Sequence, residues 1–271
     1  MKQKIVVALI ALAVVAFPTH SLFAAQEMSN EPAISQVETR SAGAENLVIS
    51  MTTYMKSLPQ FYVCGEINYD VVYKENNKIQ YSGVFDYYVK RPGQFQFNAK
   101  GDIQNTQVIF DGQSVTVYDA NKAVYGIIET PSTIDGTLDL ALSEYGIRLP
   151  VLDLARSSFG DNILKDVKKS AYVGLSDVGG ITCHHVALAK ENLTIQLWIE
   201  AGETPIPRKV LITSKSNPAM PSWSCVISDW TPTPKLYDGW TTFVPKAGMK
   251  KIEFLKSSDR PASVINYGKE N

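Results

Sequence analysis

Histidine is nearly absent from this chain of 271 residues: there are three, and only His184 and His185 lie outside the first 25 positions. Cysteine is as scarce, at Cys64, Cys183 and Cys225. A disulfide scaffold needs more, and a structural zinc site wants four ligands in one place. On a strand, Cys183 and His185 share one face while His184 takes the other, so the triplet offers two ligands at most per face. No metal or cofactor is expected. Charge of one sign is lacking too: 26 Lys and Arg face 27 Asp and Glu, for a net charge of −1. That balance gives no electrostatic footprint for nucleic acid or for an anionic membrane surface. Catalytic signatures are missing as well. There is no G-x-S-x-G, S-x-x-K, H-E-x-x-H, G-x-G-x-x-G or P-loop, and the expectation is a protein that is not an enzyme.

The one long apolar run is Ile5 to Phe17, behind Lys2 and Lys4. It is shorter than the roughly 20 residues a membrane span needs. Pro18 ends it, and Ala24 and Ala25 offer small residues for cleavage. Residues 1–25 therefore read as a secretory signal, and the mature chain as an exported protein without a transmembrane segment. An odd number of cysteines in an exported chain leaves at least one free or paired between chains. In a simple meander Cys183 and Cys225 lie three strands, or roughly 14 Å, apart. A bridge needs Cα atoms within about 7 Å, so none is expected there. Cys64 could reach Cys225 only if the sheet edges approached each other.

Residues 26–43 read as a polar, flexible leader, 44–256 as one domain and 257–271 as a polar, flexible tail. Leu47, Met51, Tyr54, Met55 and Leu58 form the apolar stripe of a helix that Pro59 stops. Period-two alternation then begins at Phe61 and recurs in short segments to about Glu129, with Asn, Asp, Pro and Gly turns between them. A second helix follows, capped by Ser132 or Thr133 and closed by Gly146, with Ile134, Leu138, Ala141, Leu142 and Tyr145 on its apolar face. Short helical pieces are expected at Pro150 to Ala155 and Asn162 to Lys168. Strands resume from Ala171 to Trp230, and a last one falls in Thr241 to Val244 or Lys250 to Phe254. The fold class is mainly β (α+β). A wide antiparallel sheet with one apolar face must curl and be covered. The result is an unclosed half-barrel of about 10 or 11 strands with helices over its concave face.

Phe61, Tyr69, Tyr81, Phe85, Tyr87, Phe95 and Phe97 all fall on one face of three successive strands. With Met51 and Met55 they are the candidate wall of an apolar cavity, and equally the candidate core beneath the helices. Trp198 shares a strand face with Gln196 and Glu200 and is an outward contact candidate.

The segment Gly83-x5-Val89-Lys90-Arg91-Pro92-x2-Phe95, followed by Asp111-Gly112 and Tyr118-Asp119, resembles the periplasmic outer-membrane lipoprotein carriers of the LolA type. The second half carries Tyr172-Val173-Gly174 and Val178-x-Gly180-x2-Cys183-His184-His185-x-Ala187. It continues with Gln196-x-Trp198-Ile199-Glu200-x-Gly202 and Pro205-x-Pro207-Arg208-Lys209. This pattern is similar to the predicted periplasmic proteins of domain of unknown function family 2092. The resemblance implies an unclosed barrel with a helical lid over a hydrophobic cavity, and it implies that Arg91 latches the lid. By analogy the chain would carry a hydrophobic ligand or lipid, including the acyl chains of lipoproteins. The rival reading is an envelope protein-interaction or sensor module with a filled core and an envelope protein as partner.

Overall fold

The structure is a computed structural model and describes residues 40–147 and 150–259. The expected signal, the leader up to residue 39 and the tail from residue 260 lie outside the described residues. Ser41 caps the first helix, α1 (Ala42–Ser57), by accepting from the Ala44 amide, so regular structure begins inside the stretch read as leader. Val48, Met51 and Met55 are buried along it, with Leu47, Tyr54 and Leu58 packed at the margin.

Six strands follow: β1 (Gln60–Val72), β2 (Lys78–Lys90), β3 (Gln94–Gly101), β4 (Asn105–Phe110), β5 (Ser114–Asp119) and β6 (Val124–Glu129). Each pairs antiparallel with the next. Three helices come next: α2 (Ile134–Tyr145), α3 (Pro150–Asp153) and α4 (Phe159–Leu164). Thr133 caps α2, and Gly146 ends it in the left-handed region at φ 60°, where the lack of a Cβ removes the steric cost. The second strand run is β7 (Lys169–Val178), β8 (Ile181–Ala189), β9 (Leu193–Glu200), β10 (Pro207–Ser214) and β11 (Ser222–Thr231). A two-residue strand, β12 (Lys250–Lys251), runs parallel to β6 and brings the sheet to 12 strands among the described residues. Thr241 to Val244 is not a strand.

The order across the sheet is β12-β6-β5-β4-β3-β2-β1-β11-β10-β9-β8-β7. The chain therefore does not meander from edge to edge. It runs from the middle to one side, crosses to the far edge through the helices, and returns to the middle. β1 and β11 are neighbours there, with Tyr69 opposite Trp223 and Cys64 opposite Asp229. This corrects the expected relation of Cys64 and Cys225: no approach of sheet edges is involved. Cys225 lies opposite Ile67, on the buried face, three residues along from Cys64. All three cysteines are free. The helices cover one face, which carries a continuous core from Val48 and Met51 through Phe61, Tyr87 and Phe110 to Leu197 and Cys225. This is the unclosed half-barrel with a helical cover.

Candidate functional site: an apolar cavity beneath the helical lid

The aromatic side chains of β1 to β3 fill their space. Phe61 stacks on Trp230 with ring centroids 4.9 Å apart and meets Tyr87 edge-on at 5.8 Å. Phe95 packs on Phe110 at 5.5 Å. The Tyr87 hydroxyl donates to the Val151 carbonyl of α3 at 3.2 Å. Met51, Met55, Phe85 and Phe97 are buried in the same cluster, as is Tyr69, while Tyr81 lies at its margin. The structure thus brings eight of the nine cavity candidates into one core and sets Tyr81 against its edge.

The open space lies further along the same face, beneath α2 to α4. A partly open cavity of about 330 Å³ is lined there by Leu138, Leu142, Leu154 and Phe159 from the helical side and by Ile195, Val210, Ile212, Trp223 and Cys225 from β9 to β11. None of the nine aromatic and methionine candidates lines it. The difference is one of side-chain volume. β1 to β3 present many Phe and Tyr side chains to the helices, whereas β9 to β11 present Ile, Leu, Val and Cys, with Trp223 the one large ring among those that line the cavity. The same helix-to-sheet gap is filled at one end and left open at the other. The volume is at the low end for small-molecule sites, enough for one slender apolar group.

The rim is charged. Arg156, almost fully buried, donates from Nε to Asp153 at 2.8 Å and from one terminal nitrogen to Asp139 at 2.7 Å and to the Asp135 carbonyl at 3.2 Å. Burial disfavours its charge, yet Asp153 and Asp139 outweigh that and hold its pKa above the usual value. The Asp135 carboxylate, in the first turn of α2, accepts from the Ser157 amide at 2.9 Å and from the amide and hydroxyl of Ser158. Burial alone would raise Asp135; the Ser158 and Ser157 donors and Arg156 bring it below the ordinary carboxylate range. These two residues tie α2, α3 and the start of α4 into one unit.

A third residue fastens that unit to α1. Arg91, at the turn between β2 and β3, donates to the carbonyls of Leu58 (3.1 Å), Met55 (3.3 Å) and Ala155. Its guanidinium lies 5.8 Å from the centre of the Phe61 ring. It joins the end of α1 to the residues just after α3. Burial lowers its pKa, partly offset by Asp135.

Most of the other groups singled out in the sequence lie on the outer face of the sheet. Trp198 stacks on His185 at 4.1 Å, and the Lys209 ammonium sits 4.6 Å over its ring; both are its cross-strand partners. His185 bonds Gln196, and its pKa is lowered, first by burial. Cys183 is buried beside Glu200, and burial pushes its thiol up. His184 points to the opposite face and meets the Tyr172 hydroxyl at 3.1 Å. Among the described residues no three His, Cys, Asp or Glu side chains converge as a metal site. A second, more polar cleft of about 520 Å³ lies on the outer face under residues 237–249, against Asp86, Asn98 and Gln107.

Among the described residues no helix is long and apolar enough to cross a membrane. No curated protein sequence matches the chain. Solved structures with a similar outline include an uncharacterized conserved protein from Thermus thermophilus, at 8% identity and TM-score 0.45 over 78% of this chain and 99% of that one. LprF from Mycobacterium bovis is 12% identical, with TM-score 0.45 over 74% and 98%. A LolA superfamily protein from Nitrosomonas europaea is 11% identical, with TM-score 0.38 over 74% and 97%. These are likenesses of fold alone. The model of the DUF2092 family, described as a predicted periplasmic protein, matches residues 44–255. With most of its length covered by that match, the chain belongs to the DUF2092 family of predicted periplasmic proteins.

Proposed function

We propose that this protein is a periplasmic, non-enzymatic carrier that holds one slender apolar ligand, such as an acyl chain, in the cavity beneath α2 to α4. The observation that carries the reading is the cavity itself: about 330 Å³, apolar on both sides, with Asp139, Asp153 and Arg156 at the rim. An amphiphile with an apolar tail and a polar head suits that division. Arg91 is the latch of this reading, since its three carbonyl partners hold the lid against α1. Residues 1–25, cut near Ala24 and Ala25, would be the export signal, and residues 44–256 the working domain. The aromatic group of β1 to β3 serves as the rigid floor that keeps the lid at its height.

The test is native mass spectrometry of the mature protein from its own periplasm, followed by denaturing extraction and lipid analysis. The expected result is a discrete added mass that resolves into a lipid or a fatty acid. A purified protein that carries no added mass and does not bind a fluorescent fatty acid when folded would overturn the carrier reading. It would leave the interaction module as the account of this fold.

A further inference from the structure

Between β11 and β12 the chain crosses the outer face of the sheet, from the β1 seam to the β6 edge, along residues 232–249. This crossing segment is fastened at three places. Gln60 donates from Nε2 to the Pro234 carbonyl at 3.1 Å. Trp240 meets the Tyr88 ring edge-on at 6.4 Å. Phe243 packs on Tyr118 at 6.0 Å and on Tyr125 at 5.1 Å. Beside these anchors the segment stands off the strands and leaves the cleft of about 520 Å³.

The floor of the cleft is a row set by strand register. Asp86 lies opposite Asn98, Asn98 opposite Gln107, and Gln107 opposite Tyr118, on the four neighbouring strands β2 to β5. Outward side chains of an antiparallel sheet are ordinarily solvated. Here Asp86, Asn98 and Gln107 are half-buried and bonded to one another. Gln107 donates from Nε2 to Asn98 Oδ1 at 2.9 Å, and Asn98 donates from Nδ2 to Asp86 Oδ1 at 2.8 Å. The row is thus locked with a single polarity. Asp86 Oδ2, Gln107 Oε1 and the second N–H of each amide have no protein partner among the described residues.

The walls have the opposite character. Val84, Tyr237 and Val244 line the cleft, yet they are 55%, 71% and 72% exposed, and the Phe243 ring stands beside them. The lining charges are Asp86, Lys100 and Lys246, so no strong field of either sign fills the space. The cavity beneath the lid has apolar walls and a charged rim; this cleft has a polar floor and apolar walls.

We infer that the cleft binds a short neutral oligosaccharide, with sugar hydroxyls on the row Asp86, Asn98 and Gln107 and sugar C–H faces against Phe243 and Tyr118. A sugar ring carries hydroxyls that donate and accept around its edge and C–H groups on its faces. Amides and a carboxylate answer the first, and aromatic rings the second. An apolar chain would strand the donors and acceptors of the floor. An extended peptide would need unpaired main chain, and β2 to β5 are paired on both sides. An anion would face the Asp86 carboxylate. From Asp86 to Gln107 the row spans two strand spacings, roughly 10 Å, which exceeds one sugar ring or one planar base and suits linked rings. The site lies on the opposite face of the sheet from the cavity, and the inference does not rest on the carrier reading.

The experiment is saturation-transfer NMR on the folded mature protein with cellobiose, maltotriose and N,N′-diacetylchitobiose, each at about 5 mM. The side-chain amide signals of Asn98 and Gln107 are followed in the same titrations. Saturation is expected to reach the ring protons of at least one of these sugars, and both amide signals should shift. Gln107→Leu, which removes a donor from the floor, should weaken that binding at least about tenfold. Phe243→Ala, on the crossing segment, should do the same, and it keeps the test open if Gln107→Leu disturbs the sheet. Ile212→Trp, in the cavity on the other face, should leave sugar binding unchanged. No transfer to any of the three sugars overturns the inference, as does binding that survives both Gln107→Leu and Phe243→Ala. Sugar binding without any fatty-acid binding would overturn the carrier reading and leave this site in place.

Discussion

Asp135 in the first turn of α2 accepts both the amide (3.0 Å) and the hydroxyl (2.6 Å) of Ser158, the residue that opens α4. Two helices of the lid thus share one carboxylate. Its folded pKa is below its unfolded value, so the stabilisation is present above the ordinary carboxylate range. It is lost as pH falls through the depressed folded value. Asp135→Asn should cost about 1.5–3 kcal/mol near neutral pH and flatten the acid limb of a plot of Tm against pH. A variant whose Tm falls in parallel with the natural chain at every pH would rule this role out.

Arg91 spans three carbonyls with one planar group. Arg91→Ala should lower stability by about 2 kcal/mol and raise hydrogen exchange at the end of α1 and around Ala155. Arg91→Lys should recover only part of this, because a single ammonium cannot reach all three acceptors at once. Equal exchange rates in both variants and the natural chain would show that the lid is held by apolar packing alone.

The cysteines differ in reach. Cys64 is half-buried, whereas burial pushes the Cys225 thiol up to about 12 and also raises Cys183. Brief alkylation of the folded protein at pH 8 should add one label, at Cys64, and denaturation should expose the other two. Intact-mass measurement reads the count. Two thiols that stay unlabelled in denaturant without reductant would mean a bridge and would contradict the free cysteines of the structure.

Filling the cavity should separate binding from folding. Ile212→Trp puts a larger side chain into open space rather than into packed core, so its Tm should stay within a few degrees of the natural chain. Affinity for a fatty-acid probe should fall at least about tenfold if the cavity is the site. Unchanged affinity would move the site elsewhere on the molecule.

Much of this architecture can be read in the chain itself. The Leu47 to Leu58 stripe, the Thr133 cap, the Gly146 stop and the alternation from Phe61 onward are local signals, and each has its counterpart in the structure. The seam between β1 and β11 is not local. No spacing within either strand specifies its partner, so the crossover to the far edge escapes a residue-by-residue reading. The cavity escapes for a related reason. Alternation assigns Phe61, Tyr87 and Ile212 to one face, but it does not say where a helix rests close and where it stands off. That depends on the summed volumes of side chains from distant strands, mostly aromatic over β1 to β3 and mostly aliphatic, Trp223 apart, over β9 to β11. The aliphatic pattern of β9 and β10 was the available hint.

The seam has a consequence for how the chain comes into being. β1 to β6 can pair in the order in which they emerge, since each partner is the next strand along. β1 completes its second side only when β11 arrives, after the helices and four further strands. A chain threaded across a membrane from its N-terminus would hold one half-sheet with an open, apolar-faced edge throughout that interval. Such an edge is a template for mispairing with other unfinished chains. The yield of this protein should therefore depend on how fast its last third is delivered and on how well holding chaperones shield β1 meanwhile.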